Sequence, residues 1–456
     1  MSDTKQVIEQ QREFFRGGTT RDVSFRIKQL KKLKTLLKEN EQPIFDALEN
    51  DFSKPPYETY ASELGILYAE IDHLVKNVSS WAKPTAVRGS LFNFPSKNKI
   101  YSEPYGVALV IGAWNYPVQL TLNPVAGAMA AGNCVIAKPS EMAPNSSALM
   151  ANLINKNFDP VYLHVVEGGA EISQKLIDAP PDYIFFTGST RVGKLIMKSA
   201  AEHLTPLTLE LGGKSPAIVD ETADLKKTAQ RIAWGKFVNA GQTCVAPDYL
   251  YVHTSVQAQL LDELQAAIHK FYGANPRQSA DYPRIVNDDH FERLTGYLDN
   301  GTTVTGGKAV ADERYIAPTI LTDISRNDAI MQEEVFGPIL PVLSFTEIDT
   351  VISALNDQPS PLALYIFSDN KAQQKRVIND VSFGGGCIND SIVHLANPRL
   401  PFGGVGQSGM GSYHGKTSFD VFSHQKSIMK KNTWFDIPMR YPPYNDKLKW
   451  LKKLIN

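Results

Sequence analysis

Cysteine is scarce in this chain: three in 456 residues, Cys134, Cys244 and Cys387, with no CxxC pair and no Cys/His spacing of a zinc site. A disulfide framework is therefore not expected, and a reducing compartment is. Long apolar runs are missing as well. No stretch reaches the ~20 unbroken apolar residues of a membrane-spanning helix, and the amino terminus MSDTKQVIEQ has no apolar signal core. The cytoplasm is the expected location, so the N-x-S/T triplets at Asn77, Asn145 and Asn300 carry no glycosylation meaning. An excess of one charge is also absent: 47 basic against 48 acidic side chains leave −1, without the basic field that nucleic-acid binding uses. The nine histidines form no HxH or HExxH, no acidic cluster has metal spacing, and no GxSxG elbow occurs. No metal, no nucleic-acid partner and no serine hydrolase of that type is expected.

What remains is a globular composition, 43% hydrophobic and 21% charged, in a chain long enough for two to four domains of ~100–200 residues each. Residues 20–81 read as amphipathic helices, with Phe25, Ile27, Leu30, Leu33, Leu36 and Leu37 at spacings that favour one face. Between residues 105 and 220 the short apolar runs GVALVIG, CVIAK, YLHVVEG, YIFFTG and LTLELGG alternate with helix-length segments, the pattern of βαβ units and a parallel sheet covered on both faces. A second α/β unit follows, with APTILTD, ILPVLSF, LALYIFS and GGCIND as its strands. Two such layers joined near residue 210 leave a cleft between them, where small-molecule sites commonly lie.

Several segments carry candidate chemistry. Gly188-Ser189-Thr190-Arg191-Val192-Gly193 stands between an apolar strand and a helical pattern, where backbone N–H groups at a helix start can meet a pyrophosphate. An ordinary strand-to-helix turn is the other reading. A true GxGxxG at Gly404-Val405-Gly406-Gln407-Ser408-Gly409 lacks a strand before it and a βαβ unit behind it, so it is read as a loop or packing segment. Lys138 and Glu141 of AKPSE follow a strand's carboxyl end and suit either an adenosine ribose or a solvated charged turn. Cys244 has small and polar neighbours, Gly241, Gln242, Thr243 and Ala246, which points to an accessible, activated thiol. Cys134 lies in an apolar strand and reads as packing, with Cys387 intermediate. Glu210, at the end of an apolar strand, should have a raised pKa and could act as a general base, an edge ion pair or a helix cap. Asn115 in GAWNYP is a turn former or an amide donor to an oxyanion.

The segments GAWNYP, AKPSE, FFTGSTRVG, LELGGKSP, NAGQTCVAP, EEVFGP and LPFGGVGQSGMGSYHG occur in the order found in the aldehyde dehydrogenase superfamily, and the chain resembles it over nearly its whole length. NAGQTCVAPDY, HLANPRLPFGG and YPPY look most like the class 3 and fatty-aldehyde branch, which includes bacterial enzymes acting on long polyene aldehydes. The resemblance implies an α/β fold with a Rossmann-like cofactor domain (1–80 and 105–209), a catalytic domain (210–388), a small oligomerisation element (81–104 and 389–430) and a tail (431–456). It implies NAD as cofactor, with NADP accepted, a homodimer, and an aldehyde substrate of medium or long aliphatic, aromatic or polyene type. Cys244 would be the nucleophile, Glu210 the base that activates water on the resulting thioester, and Asn115 the oxyanion donor together with the Cys244 backbone N–H. Gly188, Ser189, Val192 and Gly193 would lie at the pyrophosphate, and Lys138, Ser140 and Glu141 at the adenosine ribose. Glu334 and Phe336 would meet the nicotinamide ribose and ring, with Trp114 and Leu211 shaping the channel.

Three further readings compete. A CoA-acylating or reductive member of the same superfamily would have little use for Glu210. A non-catalytic binding protein would have no reason to keep Cys244, Glu210 and Asn115 together. The tail LKWLKKLIN sets Leu448, Leu451, Leu454 and Ile455 near one helical face and Lys449, Lys452 and Lys453 mostly elsewhere. It is read first as a helix packed on its own subunit or a partner, and second as a contact with an anionic membrane surface.

Overall fold

A computed structural model describes residues 4–90 and 93–455, with the side chains of Leu454 and Ile455 outside that description. Two parallel sheets dominate. The first runs Gly409–Met410, Leu207–Glu210, Tyr183–Thr187, Val107–Ile111, Cys134–Lys138, Leu163–Val165, all parallel except the antiparallel 409–410 edge. Every residue of Val107–Ile111, Cys134–Lys138 and Tyr183–Thr187 is buried, which is why these strands are continuous apolar runs rather than alternating ones. The crossover helix Pro117–Ala131 is buried along its whole length.

The second sheet runs Thr302–Thr305, Thr319–Thr322, Ile339–Phe345, Tyr249–His253, Pro216–Val219, Ala363–Phe367, Gly385–Ile388, parallel except at its first strand. Only five residues separate the end of Leu207–Glu210 from the start of Pro216–Val219, so Glu210 stands where the chain passes from one sheet to the other. Gly212 lies in that link because a Cβ there would meet Glu334 Oε2 at 2.0 Å.

A third, antiparallel sheet joins Thr85–Val87, Ser96–Pro104 and Ser423–Lys431. Residues 81–104 and the end of 389–430 thus meet in one ribbon. The middle of the second segment does not: Gly409 and Met410 pair with Glu210 and Leu209 and belong to the first sheet. The tail helix Lys447–Ile455 leaves Leu448, Trp450 and Leu451 exposed, so it is not packed onto its own body there.

Candidate active site

The loop that presents Cys244 is held under backbone strain. The helix Leu225–Phe237 gives way to Asn239 and Ala240 at φ 52 and 50, both left-handed, and Gly241 at φ 75. Non-glycine residues in that region cost about 1–3 kcal/mol each and persist only when their surroundings dictate it. Here the surroundings are explicit. Asn239 N donates to Glu58 Oε1 at 2.9 Å, and its Nδ2 donates to the carbonyls of Asn115 and Gln242 at 2.9 and 3.1 Å. Gln242 Nε2 donates to the Arg284 carbonyl at 3.0 Å and its Oε1 accepts from Val286 N at 3.0 Å. Thr243 Oγ1 shares a 2.6 Å hydrogen bond with Tyr116 OH.

Asn115 comes from the other sheet, between Val107–Ile111 and Pro117–Ala131. Its Nδ2 donates to the Gln242 carbonyl at 3.1 Å; an amide nitrogen has two hydrogens, so one is left for a ligand. Glu210 is buried and its Oε1 has no hydrogen-bond partner. Burial pushes its pKa up to about 8, with Cys244 and Thr187 pulling back in the other direction. The raised value inferred from the apolar strand is therefore present.

Cys244 departs from expectation. Its pKa is raised well above the ordinary thiol value, by burial first and then by the charges of Glu210 and Glu334. Small polar neighbours in sequence suggest an activated thiol, but burial, with carboxyls brought in from elsewhere adding to it, works against ionisation. Cys134 is fully buried in its strand, and Cys387 is half-buried with its Sγ 3.7 Å from His394 Nδ1.

Most of the expected cofactor residues stand at the strand ends of the first sheet, while Glu334 and Phe336 lie just before Ile339–Phe345 of the second. Lys138 is buried and its Nζ lies 2.5 Å from Glu141 Oε2; Ser140 Oγ accepts from Met142 N at 3.3 Å. Ser189 caps the helix Thr190–Ala201, its Oγ accepting from Val192 N at 3.4 Å. A Cβ on Gly193 would come within 2.8 Å of Leu211, and one on Gly188 within 2.5 Å of the Phe186 ring, so both glycines permit close packing at that helix start. Glu334 Oε2 accepts from Gly213 N at 3.2 Å, and Phe336, at φ 50, sets its ring edge-on to Trp114 at 5.3 Å. The GxGxxG segment packs as expected: Leu211 N donates to the Ser408 carbonyl at 3.1 Å, and Gly409 extends the sheet beside Glu210.

Cys244 opens on a cavity of about 520 Å³, walled by Tyr116, Trp234, Phe271, Tyr272 and Phe402, with Glu58 and Asp281 in its lining. Glu58 is the residue sequence reasoning missed. Nothing in PPYETY marks it, and its partner Asn239 is 181 residues away. Burial raises its pKa to about 7, against the pull of Lys54 and the Asn239 N–H.

The aldehyde dehydrogenase family profile matches residues 1–428. The chain belongs to the aldehyde dehydrogenase family. It is 50% identical over 452 residues to the 4,4'-diaponeurosporen-aldehyde dehydrogenase of Staphylococcus aureus, covering 98% of each chain. It is 45% identical to a rat aldehyde dehydrogenase described as dimeric and NADP-preferring, over 98% of this chain and 99% of that one. A substrate-bound structure of Staphylococcus aureus AldH superposes with a TM-score of 0.97 at 49% identity, over the full length of both chains. This aldehyde dehydrogenase therefore oxidises an aldehyde to the carboxylic acid with NAD or NADP. Its own residues fit a dinucleotide: a capped helix start with close-packed glycines, a buried lysine beside a glutamate, and a half-buried carboxyl at Glu334. Among the described residues no group of His, Cys, Asp and Glu is arranged to hold a metal ion, and no helix is long and apolar enough to cross a membrane.

Proposed function

We propose that Cys244 attacks the aldehyde carbon, that the oxygen charge formed there is met by the free Asn115 N–H and the Cys244 backbone N–H, and that Glu210 activates the water that releases the acid. The observation that supports this most is that a buried carboxyl faces the Cys244 thiol, an amide donor reaches the Gln242 carbonyl two residues before it, and the thiol opens on an apolar cavity. Because the thiol is protonated at rest, attack requires its proton to leave. That proton passes to solvent through the cavity on which Cys244 opens, which leaves Glu210 for the hydrolytic water. The bound dinucleotide supplies the hydride acceptor that makes the step an oxidation. Ser189 and the start of its helix would hold the pyrophosphate, with Gly188, Val192 and Gly193 packed there. Lys138, Ser140 and Glu141 would hold the adenosine ribose, and Glu334, Phe336, Trp114 and Leu211 the nicotinamide end.

The substrate is a medium- or long-chain apolar aldehyde, polyenes included. The aromatic walls of the cavity support this, as does the polyene aldehyde in the name of the Staphylococcus aureus relative. The dimeric rat relative supports a homodimer, with the ribbon of 81–104 and 423–431 as its bridging element, a cofactor domain ahead of residue 210 and a catalytic domain after it. The cytoplasm is the proposed location. A kcat/KM series over straight-chain aldehydes tests the substrate class: values should rise with chain length from acetaldehyde to at least decanal, and a fall beyond propanal would contradict it.

A further inference from the structure

The wall of the cavity carries two carboxyl groups and no counter-charge. Glu58 and Asp281 both line it, while among the described residues no lysine or arginine does. The polar remainder is neutral: Ser62, Gln119 and Thr243, and a His414 whose pKa burial lowers to about 4. Basic groups in adjoining segments stay outside the lining and are ion-paired. Lys54 Nζ is 2.9 Å from Glu63 Oε1, both side chains fully buried, and Arg277 and Arg284, on the same loop as Asp281, turn to Glu313 at 2.5 and 3.9 Å. Burial raises the Glu58 pKa most, Lys54 pulls it down, and Glu63 and Asp281 add smaller upward pushes.

We infer that Glu58 and Asp281 make this cavity reject carboxylates: the enzyme discriminates against aldehydes that carry a second, ionised carboxyl group, and its acid product is weakly retained. The inference rests on the cavity being the aldehyde site. An uncharged chain meets aromatic walls and loses nothing to the two acidic groups. A chain of the same length ending in a carboxylate brings a further negative charge into a partly desolvated space whose lining holds no lysine or arginine. The acid formed at Cys244 is the same chemistry, so the field that screens substrates also favours its departure.

The test compares kcat/KM for hexanal against 6-oxohexanoate and for decanal against 10-oxodecanoate, with hexanoate as product inhibitor, in the wild type and in Asp281→Asn and Asp281→Lys. Asp281 is exposed and outside the catalytic hydrogen bonds, so these variants should fold. The wild type should prefer each alkanal by about a hundredfold, Asp281→Asn should cut that preference about tenfold, and Asp281→Lys should cut it further and strengthen hexanoate inhibition. Added salt should narrow the wild-type preference, because an exposed charge is screened. Turnover of both alkanals with a wild-type preference below threefold, or with a preference unmoved by both variants, overturns the rejection alone. Turnover of the oxo acids without turnover of either alkanal overturns the apolar-aldehyde reading with it.

Discussion

Two strands of the same sheet lead to glutamates with different surroundings. Leu207–Glu210 ends on Glu210, buried, with Oε1 unpartnered and a pKa near 8. Cys134–Lys138 leads into Glu141, whose side chain is 48% exposed and ion-paired with Lys138. The side chain is identical in both places, and the environment assigns the work. A carboxyl taken out of water holds a proton near neutral pH and can exchange it with a water. A carboxylate fixed by a lysine at a strand end is an acceptor for ligand hydroxyls and a like charge to a phosphate.

The comparison can be broken at either end. The largest effect belongs to the thiol that Glu210 faces: Cys244→Ala should lose more than about a thousandfold in kcat, and near-normal turnover would remove the nucleophile. Next, Glu210→Gln should lower steady-state turnover by about a hundredfold to a thousandfold. The pH profile follows from the same group. A carboxyl pushed up to about 8 is protonated below that value and cannot accept a proton, so turnover should climb as pH rises toward about 8 and then level. Glu210→Gln should flatten that rising limb, and a limb that survives the substitution would assign it to another group. The smallest effect is at the other glutamate. NAD should be preferred over NADP by kcat/KM, and Glu141→Ala should shift that ratio toward NADP by about tenfold, because a like charge beside the 2′-phosphate is removed. A clear NADP preference in the wild type would refute the role given to Glu141.

The same contrast explains what could be read from the residues beforehand. Strands buried on both faces declare themselves as apolar runs, and Val107–Ile111, Cys134–Lys138, Tyr183–Thr187 and Ala363–Phe367 all did so. Ser423–Lys431 could not, because all but its two ends are exposed and the segment has no apolar face to show. Thr4–Arg16 buries only Val7, Ile8 and Gln11 and is polar at most of its other positions. Pro216–Val219 is short and has glycines just before it, so its sequence does not announce a strand although it is central in its sheet.

In the site, Cys244, Glu210 and Asn115 lie in recognisable segments, and the structure brings all three together. The raised pKa of the thiol is not legible, because it comes from burial and then from Glu210 and Glu334, all of which act on Cys244 only through the fold. Glu58 and the Tyr116–Thr243 hydrogen bond were hidden for the same reason, each joining segments more than a hundred residues apart.

The account turns on Glu210 serving the water that frees the acid rather than the thiol alone. Rapid mixing of Glu210→Gln with decanal and NAD, followed at the NADH absorbance, tests this directly. A burst close to one equivalent per active site, then slow turnover with acyl-enzyme detectable by intact mass, is the predicted result. Loss of the burst itself would show that Glu210 is needed before the thioester forms and would contradict the account.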